Sequence, residues 1–218
     1  MLVLAIDTST TAITVALHDG EQPVTRTVLD ARAHAEHVAP LIEQLLAETG
    51  RTPSDVTDVV VGTGPGPFTG LRVGIVSGVV FAHARGIPVH GVVSLDALAR
   101  QVAAMGADGD LLVATDARRK EVYWARYAVR DGRAVRVTEP AVDRPADLPA
   151  DLRGLPTAGR ATVLYPDLFP HPVEVLDVDA GFVAAEGIEG IQAGRQMPVE
   201  PLYLRRPDAL TTAERAQQ

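Results

Sequence analysis

Two segments carry the residue types that handle phosphate. Asp7-Thr8-Ser9-Thr10 puts a carboxylate and three hydroxyls within four residues. In a phosphate site the hydroxyls and backbone N–H groups contact oxygens while Asp7 orients water or a metal; the same residues also suit a tight turn that satisfies only its own backbone. Gly62-Thr63-Gly64-Pro65-Gly66-Pro67 runs into a helical pattern, so Gly64 and Gly66 allow close backbone approach and the helix start offers N–H groups to an anion. The alternative is a stiff strand-to-helix connection. A third segment, Asp116-Ala117-Arg118-Arg119-Lys120-Glu121, sets three cations between acids, either to read phosphate or as a salt-bridged exposed loop. His34 and His37 lie one helical turn apart, but a metal on a helix needs a third ligand and nothing nearby completes a set. They are expected to pack or to meet a partner, and no metal site is expected.

Other chemistries are excluded by composition. There is no Gly-x-Ser-x-Gly, and the only lysine, Lys120, does not follow a glycine-rich loop, which removes nucleophile-elbow hydrolases and Walker-type nucleotide sites. The absence of Cys removes thiol catalysis, disulfides and Cys-ligated metals. The 218 residues carry 20 Lys+Arg against 28 Asp+Glu, a formal charge of −8, with 4% aromatics. Phosphate affinity comes mostly from clustered positive charge, so any nucleic-acid role is expected to be indirect. The apolar start of the chain meets Asp7 after six residues and no apolar run is long enough to span a bilayer, which points to a cytoplasmic chain with no membrane partner.

The elements that must position these residues follow from periodicity. Residues 2–6, 13–17 and 24–29 read as three strands, with His18-Asp19-Gly20 as a turn. Val38, Leu41, Ile42, Leu45 and Leu46 recur at helical spacing, and Gly50 is the stop. A strand is expected over 56–61, a helix over 71–84, a strand over 87–92, and a helix to about 105 with Ser94 as its N-cap. The helix over 71–84 has a small residue at every fourth position, Gly70, Gly74, Gly78 and Ala82, which lets another backbone approach one face. This order, βββαβαβα, is that of one ribonuclease H-like half. A second half begins near 111, with strands over 111–115, 121–129 and 133–138, a hairpin turn at Asp131-Gly132, and a last helix over 181–193. The fold class read from this order is α/β, with a first half of ribonuclease H-like (actin/hexokinase) type and a second, less complete half. The expected boundaries are 1–106, 107–206 and a tail at 207–218.

Taken in order, Leu4-Ala5-Ile6-Asp7-Thr8-Ser9, Arg32-Ala33-His34-Ala35-Glu36 with Pro40, Gly64-Pro65-Gly66-Pro67-Phe68-Thr69-Gly70-Leu71-Arg72-Val73-Gly74, Asp116-Ala117-Arg118-Arg119 with Glu121-Val122-Tyr123, and Pro201-Leu202-Tyr203-Leu204-Arg205 resemble the bacterial TsaB (YeaZ) family over nearly the whole chain. The resemblance implies a fold of two ribonuclease H-like domains of the actin/Hsp70/sugar-kinase superfamily, the second smaller and degenerate, and a non-catalytic subunit of the tRNA threonylcarbamoyladenosine machinery. Such a subunit works with the catalytic paralogue TsaD and the ATPase TsaE, which transfer threonylcarbamoyl to the adenosine beside the anticodon. The paralogue carries paired histidines after the strand that follows the Gly-Pro-Gly loop, whereas here only His90 stands in that region. The second-half Gly-x-Gly of the family is eroded to Ala158-Gly159-Arg160-Ala161.

The resemblance therefore implies no catalytic residues and no cofactor of its own, with ATP and a divalent metal on partner subunits. Asp7, Thr8, Ser9, Gly64 and Gly66 would be a degenerate phosphate site. It further implies that the two N-terminal helices bundle with TsaD, or with a second copy in a homodimer. That makes His34, His37, Val38, Leu41, Ile42, Leu45, Gly70, Gly74 and Gly78 the expected interface. The alternative is a small ATP-binding phosphotransferase or ATPase using Asp7, Thr8 and the 64–66 loop.

Overall fold

Strand β1 (Val3–Asp7) is buried on both faces and divides the apolar interior. With side chains alternating along a strand, Val3 and Ala5 enter one core while Leu4 and Ile6 enter another. β2 (Ala12–His18) and β3 (Pro23–Leu29) continue from it as an antiparallel meander. β4 (Asp58–Gly62) and β5 (Val89–Val92) add in parallel on the other side, giving the order β3-β2-β1-β4-β5. The computed structural model describes residues 1–30 and 34–205, and the side chains of all of these except His34 and Ala35. Arg32, Ala33 and the expected tail at 207–218 lie outside the described residues.

Helices α1 (His34–Glu48) and α2 (Phe68–Arg85) cover the face of the first sheet that carries Leu4 and Ile6. The opposite face receives α3 (Ser94–Ala104) and α6 (Ala180–Gln192). These two helices are also covered by a second sheet, built from β6 (Gly109–Asp116), β7 (Val122–Arg130), β8 (Arg133–Arg136) and β10 (Thr157–Ala158) in the order β10-β6-β7-β8, with β9 (Ala141–Asp143) pairing along β7. Leu111, Val113, Tyr127 and Val129 of that sheet share one core with Val3, Ala5 and Val60 of the first. Its outer face holds a smaller cluster of Leu112, Ala114, Val122, Leu148 and Phe169, with Ala161 of the short α5 (Ala161–Leu164); the one-turn helix α4 (Ala150–Arg153) precedes it. The sequence places α6 with the second half, yet it packs on β1 and β2 of the first sheet.

The second sheet repeats part of the first. β6 takes the place of β1, the β7–β8 hairpin that of β2 and β3, and β10 pairs in parallel as β4 does, while a counterpart of β5 is absent among the described residues.

Several boundaries differ from the periodicity. Val56 is buried, but its strand begins at Asp58 because a single helical turn, Pro53–Asp55, precedes it. α2 starts at Phe68 rather than 71, directly after Pro67. β9, β10, α4 and α5 are two to four residues long, too short to leave a repeat in the sequence. Ser94 is not an N-cap: Val93 occupies that position and the serine hydroxyl is engaged elsewhere.

Residues 195–205 form an extended strap over the edge strand β5. Gly91 N–H donates to the Met197 carbonyl at 3.0 Å and Leu202 N–H to the Thr63 carbonyl at 2.8 Å. The Tyr203 ring then meets Phe68 at 5.2 Å, and Arg205 pairs with Glu121. No helix among the described residues is long and apolar enough to cross a membrane.

Candidate functional site

The end of β1 delivers Asp7 into the centre of the molecule, fully buried. Its Oδ1 accepts from Ser9 N–H at 2.8 Å and from the Ser9 hydroxyl at 2.7 Å, and its Oδ2 accepts from the Ser94 hydroxyl at 2.5 Å. Ser94 Oγ in turn accepts from Gly64 N–H at 3.0 Å, and Ser94 N–H donates to the Gly64 carbonyl at 2.7 Å. Burial pushes the Asp7 carboxyl above its usual value, and the hydrogen bonds from Ser94 and Ser9 oppose that shift.

Thr8 fastens the start of α2 to the same point. Its hydroxyl donates to the Gly70 carbonyl at 2.7 Å and accepts from Gly74 N–H at 2.9 Å. Two glycines of the loop are required by the backbone itself. Gly64 has φ +93°, a left-handed conformation that side chains disfavour, and a Cβ on Gly66 would lie 2.6 Å from the Ser9 carbonyl oxygen. Asp7, Thr8, Ser9, Gly64 and Gly66 are thus brought together as expected, but they hold one another: each polar side chain is closed off from solvent by the loop and α2. The slit beside them, lined by Ser9, Thr10, Pro67, Asp116, Arg118 and Arg160, has a volume of about 10 Å³. That is room for about one water. Arg160 is already engaged at 2.8 and 2.6 Å by both oxygens of Asp177.

The apolar and glycine residues of the expected interface fall inside the chain itself. Val38, Leu41, Ile42 and Leu45 lie in the chain's own core with Leu4, Ile6 and Val15. Gly70 accepts the Thr8 hydroxyl, a Cβ on Gly74 would overlap Thr8 Oγ1, and one on Gly78 would overlap Val61. The close neighbour that the small face admits is this chain's first sheet, which corrects the assignment of both faces to an interface. His37 is half-buried with Nε2 3.5 Å from Asp30 Oδ2, and the His34 side chain lies outside the described residues. His90, the lone histidine of its region, sits 3.3 Å from Asp58 Oδ1. Among the described residues no three His, Cys, Asp or Glu side chains converge as a metal site.

The exposed side of α2 is what the small-residue pattern hid. Val76, Val79 and Val80 are 54%, 38% and 60% exposed, and Phe68 and Arg72 continue the stripe toward the helix start with the guanidinium 4.9 Å over the ring. The readable signal was that α2 is apolar on both faces. A helix with that pattern is one that packs on both.

Residues 28–164 match the family model described as TsaD: tRNA N6-adenosine threonylcarbamoyltransferase. The Escherichia coli protein named tRNA threonylcarbamoyladenosine biosynthesis protein TsaB is 33% identical over 221 residues, covering 94% of this chain and 95% of its own length. The chain belongs to the TsaB (YeaZ) family. An uncharacterized protein of Mycobacterium tuberculosis is 46% identical over 211 residues, 95% of this chain and 93% of its own. The solved structure of YeaZ from Pseudomonas aeruginosa superposes with a TM-score of 0.80 at 28% identity, covering 93% of this chain and 99% of that one. The α/β architecture with two mixed sheets is therefore that of a TsaB-family protein, and the buried Asp7–Ser94–Gly64 network is the internal framework onto which its motif residues fall.

Proposed function

We propose that the chain serves tRNA threonylcarbamoyladenosine biosynthesis as a non-catalytic subunit that binds and orders a TsaD-type catalytic subunit. The pathway comes from the name of the Escherichia coli relative. The observation that carries the non-catalytic role is the closure of the motif residues: Asp7, Thr8 and Ser9 direct their hydrogen bonds inward, beside a slit of about 10 Å³. Docking falls to the outward stripe of α2, Val76, Val79 and Val80 running to Phe68, because it is the apolar face of the N-terminal helix pair that the chain leaves uncovered. A second copy could occupy the same stripe, giving a homodimer in isolation. ATP, its metal and the ATPase TsaE belong in this reading to the partner side of the complex. The fold belongs to the same reading: the order β8-β7-β6-β10 repeats β3-β2-β1-β4, which supports two ribonuclease H-like halves with the second the smaller.

The test mixes the purified chain with its TsaD-type partner on a sizing column and assays tRNA modification from the adenylate donor. Co-elution is expected, with no threonylcarbamoyladenosine formed by the chain alone; modification by the chain alone overturns the reading. The alternative, a small phosphotransferase, needs the enclosed Asp7–Ser9 and 64–66 groups to face a nucleotide. Micromolar Mg-ATP binding by calorimetry on the isolated chain would favour it.

A further inference from the structure

The two sheets end their first strands in equivalent turns. Asp7 at the end of β1 accepts from the N–H two residues on, Ser9, at 2.8 Å; Asp116 at the end of β6 accepts from Arg118 N–H at 2.7 Å. The surroundings of the two turns are opposite. The first lies under the 63–67 loop and α2, with its hydroxyls consumed. The second leaves Arg118, Arg119 and Lys120 exposed, all three in the left-handed conformation at φ +60°, +53° and +63°. Hydrogen bonds from Ala117 N–H to the Glu121 carbonyl and from Glu121 N–H to the Arg118 carbonyl hold the turn in a shape unfavourable to each of those residues.

The charge of the turn also runs against the molecule. A chain of net charge −8 sets three consecutive cations here. Arg118 reaches Asp116 at 3.1 Å while staying more than half exposed, and Lys120 forms no ion pair among the described residues. The turn lies near the start of α2, at the Phe68 end of the outward stripe. Arg118 lines one slit with Pro67, the residue before Phe68, and Glu121 is tied through Arg205 to the strap whose Tyr203 meets Phe68.

We propose that this turn is a phosphate-contacting finger, with Arg118 and Lys120 meeting the backbone of an RNA held mainly by the partner docked on α2. The inference rests on the docking reading above. RNA is favoured over an acidic protein surface because the consecutive cations stand exposed outside the apolar stripe, and clustered positive charge is what a phosphate backbone attracts. A planar guanidinium and a mobile ammonium suit phosphate oxygens. Two contacts added to those of a partner raise affinity without making the acidic chain a strong RNA binder by itself.

The test compares wild type with Arg118→Gln/Lys120→Gln, measuring tRNA affinity of the assembled complex across salt concentrations and complex formation on a sizing column. Each lost phosphate contact lowers the slope of log affinity against log salt by about 0.7 to 0.9. The double variant is therefore expected to bind on the order of 30-fold more weakly at 0.1 M salt, with unchanged complex formation and melting, while Arg118→Lys keeps the slope. An unchanged slope overturns the proposal, and so does loss of complex formation, which assigns the turn to a protein contact. Should the wild-type complex fail to form, the docking reading falls separately. The two proteins are then compared alone with tRNA at low salt: weaker binding by the variant upholds the finger, and equal binding overturns it.

Discussion

Asp7 is held by three donors, of which the Ser9 and Ser94 hydroxyls can each be removed singly. Ser94→Ala takes away the hydroxyl at 2.5 Å and also the acceptor of Gly64 N–H, leaving two buried polar groups unmet. A loss of about 2–4 kcal/mol is expected in urea unfolding, since hydrogen bonds to charged groups and stranded buried partners each cost of that order. The carboxyl itself gives a pH signature. Burial holds its folded pKa above the usual 3.8, so between those two values the folded state keeps a proton that the unfolded chain has released. Stability from this group is therefore complete below the unfolded pKa and falls as pH rises through the folded one. The unfolding free energy of wild type minus that of Asp7→Asn should fall between pH 3 and 7; a difference that rises would mean the hydrogen bonds outweigh burial. The sequence singles out Asp7, Thr8, Ser9, Gly64 and Gly66 because motif residues stand beside one another in the chain, but it reads them as phosphate ligands where the structure has them holding one another. It misassigned Ser94, because a serine at a helix start looks the same whether it caps that helix or donates to a carboxylate 87 residues away.

At the scale of elements, α1 and α2 separate what a helix buries at home from what it offers outward. Leu45 is fully buried, and Leu45→Ala should cost about 2–5 kcal/mol through lost transfer energy and a cavity. Leu41→Glu should unfold the chain rather than merely free a partner, since it places a charge in the same core. Val76→Glu and Val80→Glu sit on the outward stripe and should change stability by no more than about 0.5 kcal/mol. They should nevertheless abolish co-elution with the TsaD-type subunit. The opposite pattern, with Val80→Glu unfolding the chain and Leu41→Glu only dissociating a complex, would reinstate the interface first read from the sequence. The helical period of Val38, Leu41, Ile42 and Leu45 identifies a shared face correctly, and so does the small-residue repeat of α2. Neither period says what covers the face. Only the position of β1, β2 and Thr8 beneath the helices assigns that cover to the chain itself.

For the molecule as a whole, the connection between the two sheets decides how it unfolds. α3 and α6 lie between them in one continuous core, so neither sheet keeps its inner face covered if these helices leave. α6 comes from the far end of the chain and packs on β1 and β2, which makes the first sheet depend on residues translated after the second. The strap adds further ties between β5, the 63–67 loop, α2 and the β6–β7 turn. Two sheets joined in this way should melt as one cooperative unit, although the repeated strand order gives each the outline of a separate domain. The single tryptophan supplies the probe: Trp124 is on β7 of the second sheet, where its indole N–H donates to Asp143 at 2.8 Å. Leu45→Ala acts on the far side of the first sheet and touches nothing near it. In urea, the Trp124 fluorescence transition and the far-UV circular dichroism transition should coincide in wild type, and both should move by the same amount in Leu45→Ala. A tryptophan transition that stays in place while the dichroism shifts would show that the second sheet stands alone, and that α3 and α6 can leave the first without disturbing it.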